Sequence, residues 1–282
     1  MHLLTSGHGL VESPRWHDDR LWFADWTAGR INTIDPDGTC RTVITHPSMP
    51  LCFDFLPDGD LVLASGPRGA LLRLVDGELV DHADLADLSS YGSNDIAIDG
   101  RGNAYVNNIN CDFGTVTPAG EPAPGFLALA TPDGRARVVA DDLDFPNGMT
   151  LLDGGRTLVV AESYRGRLTA FEVIADGALE NRRVWAETPG HYPDGICADA
   201  DGAIWYADVS SQVCVRVTEG GERLDVVELD RGAFACALGE QAGQPTLFVV
   251  AANWPGPEGL ATHTNWDGAV FATAAPAPAA YS

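Results

Sequence analysis

Lysine is absent from this chain: its 17 basic residues are all arginine, set against 40 acidic residues for a formal charge of −23. Without an ε-amine there is no Schiff-base chemistry, and no phosphate-binding loop of the kind that ends in Gly-Lys-Ser/Thr. The shortage of positive charge argues against nucleic acid and anionic membranes as partners, since both call for a basic face. Long apolar runs are missing too; none reaches the roughly 20 residues of a membrane helix. The opening MHLLTSGHGL has neither a basic start nor an apolar core, so no secretory signal is expected. The six cysteines (Cys40, Cys52, Cys111, Cys197, Cys214 and Cys236) include no C-x-x-C pair. They fit neither a zinc cluster nor a dense disulfide framework, and most sit in apolar runs as small hydrophobes. A reducing cytoplasm is the expected location. No G-x-S-x-G occurs, so a serine-hydrolase elbow has no support.

What the chain does contain is repetition. Hydrophobic residues make up 45% of its 282 residues, an ordinary globular composition. Short β-rich runs bounded by Gly, Asp and Pro replace any long helical periodicity. Aligned, the runs give one unit: an alternating strand, a Gly or Asp turn, and a more apolar strand. Copies begin at Glu12, Leu51, Asn94, Asn147, Asp194 and, more weakly, Phe234, separated by 39, 43, 53, 47 and 40 residues. A period of that size with several strands per unit marks a propeller blade. The expectation is an all-β, six-bladed β-propeller of four-stranded blades around a central channel, one domain over residues 1–273. The segment around His2–Ser6 should complete the last blade, because an open ring would expose sheet edges. Residues 274–282, mostly Ala and Pro, read as a disordered tail.

Register then turns a turn motif into a candidate site. DFPNGM and HYPDGI each carry Asn-Gly or Asp-Gly, common tight-turn dipeptides. In a propeller, however, the first strand of each blade lines the channel, so equivalent positions form a ring about one axis. Four of the six positions, Glu12, Asn94, Asn147 and Asp194, bear side-chain oxygens. Two carboxylates converging there repel unless a proton or a cation separates them. Oxygen ligands without His or Cys favour a hard divalent cation such as calcium, magnesium or manganese.

The motifs ESPRW, SNDIAID, FPNGM and PDGICADADGAIWYADV, with DRGAFACALG near the end, resemble the gluconolactonase/regucalcin (senescence marker protein-like) family of six-bladed propellers. The likeness covers nearly the whole chain. It implies one catalytic divalent cation at the channel mouth, calcium foremost, with magnesium, manganese or zinc as further options. Carried over by motif, Glu12, Asn147 and Asp194 would be its protein ligands, with Asn94 contacting substrate and Asp194 serving also as the catalytic base. Sugar-lactone members often carry Arg where this chain has Gly92, and phosphotriesterase relatives place His near the channel where it has Phe234.

Three functions remain open on this reading: metal-dependent hydrolysis of a lactone, another hydrolysis or a hydration at the same metal, and a non-catalytic propeller with a structural cation. Each second strand returns to the ligand face, so the loops after it should cover the site. Two are long, Asn108–Phe126 and Asn253–Asp267, and both are candidates for substrate selection, with Asn108 as a substrate contact. His191 precedes Asp194 by three residues and could reach the cavity. Asp25, Glu162 and Asp208 end second strands on that face, either orienting the ligands or capping strands. The expected partner is a small-molecule substrate, on a monomer or weak homo-oligomer.

Overall fold

The computed structural model describes residues 1–35, 37–111, 124–256 and 262–280. Six four-stranded antiparallel sheets form the ring, as the repeat predicted. Their inner strands are Val11–His17, Phe53–Phe55, Ile96–Ile98, Pro146–Leu152, Ile196–Ala198 and Gly232–Gln241 in blades 1 to 6. Closure also follows the expectation: His2–His8 pairs with Gly268–Ala274, with His2 opposite Ala272 and Ser6 opposite Ala269. The last blade is thus built from both ends of the chain, and no bare edge is left at the seam. Among the described residues no helix is long and apolar enough to cross a membrane.

Burial explains the alternation read in the sequence. Second strands such as Thr157–Glu162 and Ile204–Asp208 are buried throughout. Outer strands such as Arg223–Glu228 face solvent along most of their length. The core is therefore not a central droplet but a set of apolar layers between neighbouring blades. One layer joins blades 6, 1 and 2 through Phe23, Phe53, Phe248 and Trp266, and another joins blades 4 and 5 through Trp185 and Tyr206. Stacking of this kind leaves the axis free for polar groups.

The Asn-Gly and Asp-Gly dipeptides stand at the heads of inner strands, as their register indicates, and are not tight turns. Neither Gly148 nor Gly195 has a positive φ. A Cβ on Gly148 would lie 2.5 Å from the Ile196 nitrogen, and one on Gly195 would lie 2.2 Å from the Ala235 Cβ. Glycine is required here because adjacent inner strands close on each other near the axis, joined by Gly148 N–H to Asp194 O (3.2 Å) and Gly195 N–H to Phe234 O (2.9 Å).

The Ala/Pro tail differs from the expectation. Ala279 bridges Asp199, the Ala200 N–H donates to Pro278 O (2.8 Å), and the Ala280 N–H donates to Ala198 O (3.0 Å). Composition signalled disorder but not the partner. The inner strand of blade 5 is only three residues long, and the tail satisfies backbone groups at its end. This covering lies on the face opposite Asp194, where Arg15, Asp54, Cys236 and Ala279 help line a cavity of about 400 Å³.

Candidate active site at the channel mouth

The inner strands are bent where they carry the candidate ligands. The ladder of blade 1 slips between Glu12 and Arg15, and that of blade 4 between Pro146 and Met149. Ser13 (φ 50°) and Phe145 (φ 56°) sit in the left-handed region beside these slips. Bulges re-aim side chains, and non-glycine residues held in this region concentrate at functional sites. The backbone is thus distorted at Glu12 and next to Asn147.

Three of the predicted residues meet directly. The Asn94 Nδ2 donates to Asn147 Oδ1 (2.9 Å), and the Asn147 amide also hydrogen-bonds the Asp194 carboxylate. From Asn147 the network continues through the Ser163 hydroxyl (3.3 Å), which donates to Pro193 O (2.7 Å). Glu12 enters from the other side, its Oε2 accepting the Ser13 N–H (2.8 Å).

Electrostatics show what the ring lacks. Burial pushes the Glu12 carboxyl up to about 8, with Asp95 adding to the effect of burial. Asp194 is driven well above the ordinary carboxylate range by burial first, then by the charges of Glu12 and Asp208. Below them Arg15 is spent on other acids: its Nη2 donates to Asp95 Oδ1 (2.9 Å) and Ile96 O (2.7 Å), and its Nε lies 3.6 Å from Asp54 Oδ1. Arg15 draws the Glu12 pKa down but not enough to offset burial, and Asp194 has no basic side chain among the causes of its rise. An oxygen-only set with excess negative charge fits a hard divalent cation and suits zinc poorly. Among the described residues no group of three His, Cys, Asp or Glu side chains is placed to hold a metal ion, so a site built on Glu12 and Asp194 would need the Asn147 amide as its third member.

The acids at the ends of second strands do a common job. Asp25 accepts the Gly9 N–H (2.9 Å), Glu162 the Asp144 N–H (2.9 Å), and Asp208 the Tyr192 N–H (3.1 Å). Each thereby ties down the loop leading into Glu12, Asn147 or Asp194, so capping and orienting are one act here. Asn108 does the same in blade 3. Its Nδ2 donates to Tyr91 O (2.8 Å) and Gly92 O (3.2 Å), and its Oδ1 accepts the Asn110 N–H (2.7 Å). That amide is committed to its own loops, and the geometry leaves it no free donor for a substrate. His191 stands 3.1 Å from the Asp208 carboxylate with its ring edge-on to Tyr206, and burial lowers its pKa.

One residue was not anticipated. Asn107 is fully buried, and its Oδ1 accepts the N–H groups of Asn94 (3.2 Å) and Asp95 (2.7 Å). Its Nδ2 donates to the Asn147 carbonyl. A single amide thus holds the backbone of two candidate site residues on adjacent blades. The signal was present in the repeat: Ala24, Ala64, Ala161, Ala207 and Ala251 occupy the equivalent position in the other five blades. Of the two long loops, residues 112–123 and 257–261 lie outside the described residues.

The sequence matches the SMP-30/gluconolactonase/LRE-like region over residues 10–253. Among characterised relatives, it is 29% identical to a pentonolactonase of Haloferax volcanii over 204 residues, covering 70% of this chain and 66% of that protein. It is 29% identical to the diisopropyl-fluorophosphatase of Loligo vulgaris over 224 residues, covering 69% and 68%. A solved gluconolactonase from Xanthomonas campestris superposes with a TM-score of 0.75 at 23% identity, covering 97% of this chain and 89% of that one. The chain belongs to the SMP-30/gluconolactonase/LRE-like family.

Proposed function

We propose that the protein hydrolyses a lactone with the help of one divalent cation, calcium foremost, held by Glu12, Asn147 and Asp194. What supports this reading is that two buried carboxylates, Glu12 and Asp194, feel each other's charge at the channel mouth beside the Asn147 amide, and both stay raised although Arg15 draws Glu12 down in part. Family membership supports it, as do the names of two relatives, the pentonolactonase above and a 6-deoxy-6-sulfogluconolactonase of Pseudomonas putida with 26% identity. When bound, such a cation supplies Lewis-acid stabilisation of negative charge developing on the ester carbonyl oxygen.

The chain's own residues do the rest. Asn94 hydrogen-bonds the Asn147 side chain, and its amide stands next to the ligands, where it would orient the substrate. Asp194 takes the proton of the attacking water on a carboxylate oxygen and returns it to the ring oxygen as the ester opens. Burial first, then the charges of Glu12 and Asp208, raise its basicity, and a bound cation would draw it back toward the ordinary range.

The test is a panel of lactones, carboxylic esters and one phosphotriester, assayed with metal-stripped and metal-restored protein. Lactone turnover that disappears on stripping and returns with calcium, magnesium or manganese is expected. Turnover of the phosphotriester alone would point to another metal-dependent hydrolysis at the same site. Activity that ignores metal would reject the cation's role.

A further inference from the structure

The ring around the proposed cation is polar on one side only. Asn94, Asn147 and Asp194 occupy three consecutive blades, whereas Glu12 is flanked by Leu51 on blade 2 and Phe234 on blade 6. Leu51 is wholly buried and Phe234 nearly so, and the Phe234 carbonyl accepts the N–H of Gly195, the neighbour of Asp194. Trp254 stands against Phe234 edge to face at 5.9 Å between ring centres, with Trp266 behind at 6.4 Å. Trp254 follows the strand Gln244–Ala252, which returns to the ligand face, and it keeps part of its surface exposed.

Exposed aromatics concentrate on the same face. Tyr91, Tyr164 and Tyr192 are 42%, 47% and 55% exposed and lie in loops leading into Asn94, following Glu162 and leading into Asp194. Tyr164 stacks on Phe145, two residues before Asn147 (4.5 Å). The remaining large exposed apolar side chains are scattered Val, Leu and Met residues, several of them on outer strands, as is usual for a propeller rim.

Positive charge is scarce at the mouth. The ring heads include no basic side chain. Arg165 is shared among Asp142, Asp144 and Glu162, and Arg231 between Asp230 and Asp267. Two polar side chains near the ligands are committed elsewhere: the Asn108 amide to backbone carbonyls, and the Ser163 hydroxyl to Pro193 O. Ligand pockets take their selectivity from just such a balance of apolar wall and few free polar groups.

We infer that the substrate is an uncharged lactone bearing an apolar or aryl substituent, which packs on Phe234 and Trp254 while its ester carbonyl meets the Asn94–Asn147–Asp194 side. This rests on the lactone-hydrolase reading above and specifies its substrate. A polyhydroxylated lactone would leave hydroxyls against these rings, and an anionic one would find no basic side chain among the ring heads to pair with.

The experiment compares γ-phenyl-γ-butyrolactone, D-glucono-1,5-lactone and the anionic D-glucaro-1,4-lactone on the cation-loaded full chain. Hydrolysis is followed by proton release, and binding separately by tryptophan fluorescence. The phenyl lactone should lead in kcat/KM by about 10–200-fold, the range an apolar contact supplies. Trp254→Ala should raise its KM roughly tenfold with little change in kcat, and should narrow the ratio to the glucono-lactone. Tyr192→Ser, at an exposed position, should narrow it in the same direction without loss of folding. A preference for either sugar lactone, or a ratio unmoved in both variants, overturns the inference. If no lactone is hydrolysed, hydrolysis itself is rejected, and the binding preference still decides the specificity: tighter binding of the phenyl compound supports it and tighter binding of a sugar lactone refutes it.

Discussion

Replacing Asn107 by alanine should weaken the cation site without touching a ligand. The substitution removes the acceptor for the Asp95 N–H and the donor to the Asn147 carbonyl, while the Asn94 N–H keeps a long bond to the Asn107 backbone oxygen at 3.4 Å. Two buried backbone groups are orphaned, at about 1–3 kcal/mol each, so a loss of about 2–5 kcal/mol is expected. For a chain of this size that corresponds to roughly 3–9 °C in Tm. A water entering the vacated space would recover part of the stability. It would not restore the spacing between Asn94 and Asn147, so cation affinity should still fall by about 10–100-fold. Asn107→Asp keeps an acceptor for Asp95 but sets a carboxylate against the Asn147 carbonyl, and it should not rescue affinity. Calorimetric titration of calcium into wild type and both variants, beside thermal melts, reads the two effects apart. An Asn107→Ala protein with unchanged affinity would show that this amide serves the fold alone.

Asp194→Asn keeps an oxygen ligand and removes the base, so it should retain some cation and lose roughly 10²–10⁴ in kcat; near-wild-type turnover in the loaded variant rejects the base role. Gly195→Ala drives a methyl group into Ala235, and it should lower Tm and cation affinity together, whereas Gly202→Ala in the far turn (φ +79°) should lower Tm only. Glu162→Gln should cost about 3 kcal/mol, because it leaves the Arg167 charge beside Glu162 without its closest partner. Burial alone would push Glu162 up, but the Thr169 hydroxyl, the Asp144 N–H and Arg167 outweigh it and hold its pKa below 4.5. Its contribution is therefore complete above the unfolded value of 4.5 and is lost as pH falls through the lowered folded value. The Tm gap between wild type and Glu162→Gln should close only in that acid range; a gap that is independent of pH contradicts the assignment.

How much of this was legible in the sequence depends on whether the repeat carried it. Blade number, strand order and the closing role of the N-terminal segment follow from periodicity, because each blade solves the same packing problem with the same pattern. The common position of Glu12, Asn94, Asn147 and Asp194 follows for the same reason. What the repeat averages away was missed or misread. Register placed Gly148 and Gly195 at strand heads, but the need for glycine there is the close approach of neighbouring strands, a contact between blades that no local pattern encodes. Asn108 drew attention as a polar residue at a loop, yet its neighbour Asn107, a departure from the repeated alanine, makes the contacts to the site residues. The tail was read from composition alone, and composition does not reveal that the short inner strand of blade 5 leaves backbone groups for it to meet.

The most direct test of the central claim is a crystal structure of the protein soaked in manganese, with anomalous scattering used to locate the ion. One ion is expected at the channel mouth, with carboxylate oxygens of Glu12 and Asp194 and the amide oxygen of Asn147 at about 2.0–2.6 Å. An ion bound elsewhere, or a mouth without metal in which the Glu12 and Asp194 side chains point apart, would contradict it.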